Sequence, residues 1–475
     1  MAERYPMIVA GEEHSGTRAI EVRDKYSGET IAEACTPGLE DIERAIASAH
    51  AARVAMQELS AYRRSTIIRT AAGILDAGKD RLAVTIAREA GKPLKYAAFE
   101  VERTVENLEY CAEEAKRVHG ETVPLDAARS GAGKFGFYER FPVGVVAAIS
   151  PFNFPLNLAA HKLGPAVAAG CPVILKPASA TPLSGIELVR AFVEAGLPAG
   201  AISCLPGSGE AVGDPLVSDP RVSKISFTGS RAVGERIIRR SGLKKITMEL
   251  GGNCGVAVDQ SVPDLAAAAK RCVFGAFYNQ GQVCISVQRI FVHAAVHDRF
   301  LELMLAETAK LKLGNPADRD TDIGPVISAS EADRIMAVIA EAKDQGAKIL
   351  AGNVREQNVI APTVVTGTAR GMRIAREEVF GPVVMIEKVD SFDEGIRRVE
   401  DSEYGLQAGV FTSDIGRALR AVRQIDVGGI AINDVPTVRF DHMPYGGNKG
   451  SGLGREGARF AIEEMTAIRM VVCSR

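Results

Sequence analysis

The sequence predicts an α/β protein of two or more large domains, and three observations carry this. The chain has 475 residues, too many for one hydrophobic core. Between Val143 and Glu249 short, mostly apolar strands alternate with helices, the pattern of a parallel sheet covered on both faces. Beyond it, a largely apolar helical stretch from Leu265 to Phe277 passes through Tyr278-Asn-Gln-Gly-Gln-Val-Cys284-Ile-Ser286 into a β-branched run, Val287 to Val292. Such a helix–loop–strand junction can hold a thiol still and accessible, although an isolated cysteine is more often buried and inert.

Composition is that of an ordinary globular protein: 46% hydrophobic, 24% charged, formal net charge −2. Nothing in it suggests nucleic acid or an anionic membrane as partner. Met1-Ala-Glu-Arg-Tyr5 does not begin a signal peptide, and no apolar run is long enough to span a bilayer. The eight cysteines are scattered without CxxC or Cys/His spacing, which argues against a metal site and a disulfide framework and for reduced thiols in the cytoplasm.

Residues 1–37 read as short strands and turns, with a hairpin turn at Asp24-Lys-Tyr-Ser-Gly28. From Glu40 to about Val118 apolar residues recur at three- and four-residue spacing, broken at Gly91-Lys92-Pro93. Arg103 sits on the last of these helices and reads either as a solvated charge or as a site residue. Residues 119–140 form an extended hairpin around Arg129–Gly133, and Ile468–Cys473 is a further strand. Two such exposed strands need a partner edge, often in another subunit.

The alternating region places strands at Val143–Ile149, Cys171–Leu175, Ile202–Leu205, Val222–Phe227 and Ile246–Leu250, with helices at Leu156–Ala169 and Leu183–Glu194. Ligands of such sheets bind at the carboxyl ends of the strands. Those ends carry Ser150-Pro151-Phe152-Asn153-Phe154, Lys176-Pro-Ala-Ser179, Thr228-Gly229-Ser230 running to Gly234, and Glu249-Leu250. A Gly-Ser turn opening a helix offers backbone N–H groups to phosphate, and a lysine at the neighbouring strand end makes a nucleotide the expected ligand. A carboxylate at the end of an apolar strand is costly unless it is wet, paired or used.

Six motifs occur in order: Pro151-Phe-Asn-Phe-Pro155, Phe227-Thr-Gly-Ser230, Met248-Glu-Leu-Gly-Gly252, Gly281-Gln-Val-Cys284, Glu377-Glu-Val-Phe-Gly-Pro382 and Pro444-Tyr-Gly-Gly-Asn-Lys-Gly-Ser-Gly452. Over essentially its whole length the chain resembles the NAD(P)-dependent aldehyde dehydrogenase superfamily. The resemblance implies a Rossmann-like cofactor domain (1–118 and 141–249), an α/β catalytic domain (250–440), and a small β oligomerisation element (119–140 and 460–475) serving a homodimer or homotetramer. It implies Cys284 as nucleophile, Asn153 and the Cys284 backbone N–H as oxyanion donors, and Glu249 as the base that activates water. It implies Ser150, Pro151, Phe152, Lys176, Ser179, Gly229, Ser230, Gly234, Leu250, Glu378 and Phe380 around NADP or NAD, and no metal. Ser179 stands where many NAD-preferring members carry Glu, so a 2′-phosphate is tolerated. Glu249 favours hydrolysis to a free acid over transfer to coenzyme A. Cys254 is expected to be a packing residue.

The family's pocket positions map onto Arg103, Phe154, Asn157, Leu158, His161, Tyr278, Val283, Ile285 and Arg439–Tyr445. This set is polar, with Arg103 and Arg439 expected at the tunnel mouth and Asp441 orienting one of them. It implies a small aldehyde bearing hydroxyl or acidic groups. The match looks best for the lactaldehyde and non-phosphorylating glyceraldehyde-3-phosphate branch, although phosphate-specific members carry Arg where Val283 stands. A semialdehyde dehydrogenase of the succinate-semialdehyde type and, from another class, a cofactor-free thiol acyl hydrolase are the alternatives.

Overall fold

The computed structural model describes residues 3–474; Met1, Ala2 and Arg475, which fall within the leader and C-terminal readings above, lie outside it. The first large sheet has eight strands. Its parallel centre runs, in spatial order, β4 (Lys245–Glu249), β3 (Val222–Thr228), β1 (Val145–Ile149), β2 (Val173–Lys176) and Ile202–Cys204. All five residues of β1 are buried, so the sheet needs helices on both faces. Boundaries differ from the sequence reading by a residue or two; β1 starts late because Gly144 turns the chain with φ 117°. Register aligns the strand ends: Ile149 lies beside Lys176 and Phe227, and Thr228 beside Glu249. The chain leaves β1 for β2 on one side and returns to β3 on the other, which opens a crevice at the carboxyl ends. Met7–Val9 and Gly452–Leu453 close the flanks antiparallel.

Helices α1 (Leu94–Glu114) and α2 (Asn157–Ala169) pack together against this sheet, and α3 (Arg231–Ser241) follows β3. Every residue of α2 is buried. Its N-terminus is capped from α1: Glu100 Oε1 accepts the N–H of Leu156 at 3.0 Å and of Asn157 at 3.1 Å. The other Glu100 oxygen pairs with Lys92, whose ammonium lies 3.6 Å over the Phe154 ring. Gly91-Lys92-Pro93 is therefore more than the helix break read from sequence; Gly91 (φ 70°) ends one helix and the next residue buries a cation.

The second sheet has seven strands around β5 (Cys254–Val258) and β6 (Val287–His293), joined by α4 (Leu265–Phe277), with β7 (Val383–Val389) alongside β6 and α5 (Ala329–Asp344) packed nearby. A third, antiparallel sheet pairs Lys134–Pro142 with Glu121–Val123 on one side and with Thr466–Ser474 on the other, so the two exposed segments find each other within one chain. The chain also returns to its first core after the second sheet: Ala458, Ile462 and Met465 pack with α2 and its neighbours.

Replacing Lys92 with Met leaves the Glu100 carboxylate buried without its cation. The expected loss is about 3–5 kcal/mol, read as a lower denaturation midpoint. An unchanged midpoint would show that the two backbone donors of α2 suffice to hold Glu100.

Candidate active site

The carboxyl edge of the first sheet faces the second across a cavity of about 530 Å³. Ser150, Pro151, Phe152 and Asn153 enter it from the end of β1, Lys176 and Ser179 from β2, Gly229 and Ser230 from the start of α3, and Leu250 from β4. Glu378 and Phe380 close it from the second sheet, with Phe152 and Phe380 in edge-to-face contact at 5.7 Å. Cys284 and Asn153 lie on the same wall set.

Several of these groups have hydrogen-bonding capacity to spare. Lys176 Nζ donates only to the Pro177 carbonyl, at 3.0 Å, and burial pulls its pKa down to about 8. Glu378 accepts the Gly252 N–H at 2.9 Å, and burial pushes its carboxyl up to about 7. Ser150 Oγ is buried without a partner. Ser230 starts α3 without capping it through its side chain, and a Cβ at Gly229 would strike the Phe227 ring. An ammonium, a carboxyl, hydroxyls and a helix N-terminus along one cleft fit an elongated ligand carrying phosphate and ribose groups. Ser179 Oγ donates to the Gly207 carbonyl at 2.7 Å and adds no negative charge near Lys176. Gly234 is placed elsewhere: it is buried inside α3, where a Cβ would collide with Leu250, so it serves helix–strand packing and does not line the cleft.

The thiol is presented by an unusual loop. Asn279, Gln280 and Gly281 all have left-handed backbones (φ 51°, 56° and 69°), a conformation that side-chain-bearing residues resist. Anchors hold it: Gln280 Nε2 donates to the carbonyls of Gly91 (2.6 Å) and Pro325 (2.9 Å), and Gln282 Oε1 accepts the Ile327 N–H at 3.0 Å. A Cβ at Gly281 would overlap the Gly381 carbonyl, and one at Gly252 the Cys284 carbonyl, so glycine is required at both positions. Cys254 packs beneath, its Sγ 3.6 Å from the Cys284 carbonyl oxygen. Cys284 is half-buried; its Sγ lies 3.2 Å from Tyr445 Oη, and burial pushes the thiol up to about 12. Asn153 Nδ2 donates to the Gln282 carbonyl at 2.9 Å, which ties it to this loop. The loop bearing Glu378 is held by Gln288, which donates to the Glu377 carbonyl at 2.7 Å and accepts the Val379 N–H at 2.9 Å.

Glu249 ends β4 with both carboxylate oxygens buried and unbonded. Burial and the nearby Glu456 raise its pKa well above the usual range, against Arg439, Lys162 and Arg455. Glu456 itself is held down to about 2 despite its burial, by Lys162 Nζ at 2.8 Å and by His161 and Arg439. Lys162 also reaches Thr228 Oγ1 at 2.7 Å, which ties α2 to β3.

The polar pocket positions turn inward. Asp441 accepts two bonds from Arg103, at 3.0 and 2.5 Å, and lies 2.8 Å from His161 Nε2. Burial and Arg439 lower the His161 pKa, against its bond to Asp441. Arg439 is not at an open mouth: its side chain is 7% exposed, pairs with Glu456 at 3.0 Å and stacks 3.7 Å over the Tyr445 ring. Asn157 and His161 are buried, Asn157 facing Asn107 and Asp441. Around the thiol the contacts are apolar instead: Phe154, Leu158, Tyr278, Val283, Ile285 and Tyr445 form one cluster with Cys254 and the half-buried Cys284. Among the described residues no histidine lies within hydrogen-bonding distance of Cys284, as a thiol hydrolase would require. Among them, too, no group of His, Cys, Asp and Glu could hold a metal ion, and no helix is long and apolar enough to cross a membrane.

Sequence reading missed Lys162, Glu456, Gln280, Gln288 and Arg334, whose guanidinium donates to the Val379 carbonyl at 2.6 Å. A lysine inside an otherwise apolar helix was the visible signal for Lys162; for the others none was present.

Comparison with known proteins agrees with this arrangement. Residues 12–471 match the model of the aldehyde dehydrogenase family. The chain is 44% identical over 470 residues to a 3-sulfolactaldehyde dehydrogenase of Priestia aryabhattai, covering 99% of this chain and 98% of that one. Its structure matches aldehyde dehydrogenase 21 from Physcomitrella patens in complex with the reaction product succinate (TM-score 0.98, 40% identity, 100% and 99% of the two chains). It also matches glyceraldehyde-3-phosphate dehydrogenase GapN from Methanocaldococcus jannaschii complexed with NADP (TM-score 0.93, 38% identity, 97% and 100%).

The depressed pKa of Lys176 makes a pH-dependent prediction. The ammonium is charged below about pH 8 and neutral above it. Dinucleotide affinity should therefore fall roughly tenfold between pH 7.5 and 9.5 as a charge-assisted bond is lost. Fluorescence titration of the free enzyme with NADPH measures this, and Lys176→Met should bind weakly with a flat profile. A profile in the Met variant as steep as the parent's would assign the titration to another group.

Proposed function

The chain belongs to the aldehyde dehydrogenase family, and we propose that it oxidises a small polar aldehyde to the free carboxylic acid by way of a thioester on Cys284. As an NAD(P)-dependent aldehyde dehydrogenase it uses a nicotinamide that accepts the hydride. The observation that carries the mechanism is the meeting of the Cys284 thiol and Asn153 on the wall of the dinucleotide cleft, with the unbonded Glu249 carboxyl close enough to influence the thiol. Cys284 attacks the carbonyl carbon, and the oxygen takes the negative charge. Asn153 turns its amide from the Gln282 carbonyl toward that oxyanion, joined by the Cys284 backbone N–H. After hydride loss the thioester is opened by water. Glu249, whose pKa burial and Glu456 raise, removes the water's proton. Lys162 and Glu456 keep a fixed charge pair behind it.

The substrate class we favour is a short aldehyde with a hydroxyl or an anionic group, such as lactaldehyde, glyceraldehyde 3-phosphate or a dicarboxylic semialdehyde. Arg103, Arg439 and Lys162 lie behind the apolar pocket with the carboxylates of Asp441 and Glu456 and the buried Glu249, a charged network that supports a substrate bearing polar groups. The sulfolactaldehyde, succinate and glyceraldehyde-3-phosphate named for the relatives fit the same class. We assign the first sheet to the cofactor and the second to catalysis, and place the enzyme in the cytoplasm, where the thiol stays reduced. Exposed Ile468, Met470 and Val472 on the last strand favour a homo-oligomer.

Formation of NAD(P)H with an aldehyde panel tests the reading. Lactaldehyde, glyceraldehyde 3-phosphate and succinate semialdehyde should exceed n-alkyl aldehydes of equal length in kcat/KM. Preference for hexanal or benzaldehyde would overturn the polar-substrate assignment. Cys284→Ser should lose turnover while keeping dinucleotide binding, and activity within about tenfold of the parent would refute a covalent nucleophile. Glu249→Gln should give one burst of reduced cofactor and then stall with acyl-enzyme accumulated. An unchanged steady state would remove Glu249 from deacylation.

A further inference from the structure

Among the described residues Tyr445 is the one side chain within hydrogen-bonding distance of the Cys284 sulfur. Its ring is buried and clamped. Its backbone N–H donates to the Glu456 carbonyl at 3.0 Å, and its own carbonyl accepts the Glu456 N–H at 2.6 Å. The Arg439 guanidinium covers one face of the ring at 3.7 Å and is itself held by Glu456 Oε2. The hydroxyl is thus placed by the backbone pairing, and the cation on its ring is placed by the same glutamate.

While Cys284 is a thiol, either partner of the 3.2 Å contact can donate. Once the sulfur ionises it can only accept, so the phenol must donate, and the bond becomes charge-assisted. The contact therefore favours the thiolate over the thiol. A guanidinium over the ring face draws electron density from the hydroxyl and strengthens it as a donor. The groups facing the sulfur divide by sign. Glu249 at the end of β4 and Glu378 on its loop oppose ionisation, and Tyr445 and Arg439 favour it. The hydroxyl faces Cys284, Arg439 and Glu249, and burial with the neighbouring carboxylate raises its own pKa, so its proton stays on oxygen.

We propose that Tyr445 Oη, polarised by the Arg439 guanidinium stacked on its ring, is the donor that favours the Cys284 thiolate over the thiol and holds the sulfur in the attacking position. This rests on the reading of Cys284 as the nucleophile. Tyr445 acts as donor throughout and never as base; in the free enzyme the thiol proton leaves to buffer through the cleft. Arg439, which sequence placed on the substrate, is on this assignment a positioning residue that acts through Tyr445.

The test is the pH dependence of Cys284 alkylation by iodoacetamide in the full-length protein without cofactor, located by peptide mass spectrometry. A Cys473→Ser background removes the exposed second thiol. Tyr445→Phe keeps the ring under Arg439 and removes only the hydroxyl. It should raise the midpoint of the profile by about one pH unit, so that alkylation is about tenfold slower at any pH below both midpoints, with the same limiting rate at high pH. Arg439→Lys keeps the charge but loses the planar stack, and should shift the midpoint in the same direction by less. An unchanged or lowered midpoint in Tyr445→Phe would overturn the proposal and leave the tyrosine a spacer. If that variant does not fold, an unchanged midpoint in Arg439→Lys would do the same. Alkylation uses neither aldehyde nor dinucleotide, so an enzyme that fails to oxidise any aldehyde yet shows the shift would sink the proposed function and not this one.

Discussion

Helix α2 is reached by water on no side, yet it carries Asn157, His161 and Lys162. An uncompensated charge in such a place costs several kcal/mol, so each must be met by a partner brought from elsewhere. Those partners come from distant parts of the chain: Glu100 of α1 caps the first turn, Asp441 takes the histidine, and Glu456 takes the lysine. The return of residues 441–465 to the first core follows from this requirement. It also places Tyr445 beside the thiol, with Arg439, just ahead of that segment, over the Tyr445 ring.

The second constraint is the close packing of the loops around the thiol. Where the Cys284 carbonyl meets residue 252, and where residue 281 meets the Gly381 carbonyl, there is no room for a Cβ. Three left-handed residues in a row before the thiol are tolerated because Gln280 and Gln282 anchor them with three side-chain bonds to two separate segments, at Gly91 and at residues 325–327. Such close packing removes water, and its removal moves Glu249, Glu378 and Cys284 upward and Lys176 downward, each in the direction of its neutral form. Carboxyl and ammonium groups that would otherwise titrate far from neutrality are brought to about 7 and 8 in Glu378 and Lys176, the range in which small changes of partner alter their charge.

Most of the architecture was legible because it rests on local pattern. Alternating apolar strands and helices gave the parallel sheet, and the strand ends gave Ser150, Lys176, Gly229 and Glu249 as residues along one edge. The glycine of the Gly229–Gly234 turn nearest the strand lies on the cleft, whereas Gly234 answers to packing against Leu250, a distinction that spacing alone does not contain. The buried ion pairs were illegible for a different reason. Lys92 reads as loop, and Glu100 as one charge among several on an amphipathic helix; only the fold shows that both are at 0% exposure and face each other. Long-range pairing of this kind leaves no periodicity in the sequence.

The same limit governs the reading of specificity. Residue identity at a pocket position reports the charge present but not where that charge is compensated. Arg103 is 15% exposed and grips Asp441 with two bonds; Arg439 is buried against Glu456 and Tyr445; His161 lies between them, bonded to Asp441. The lining around Phe154, Tyr278 and Ile285 is aromatic and aliphatic, and behind it lies a network of paired charges. A change of charge in that network would act across an apolar wall at short range, in a place that solvent screens poorly.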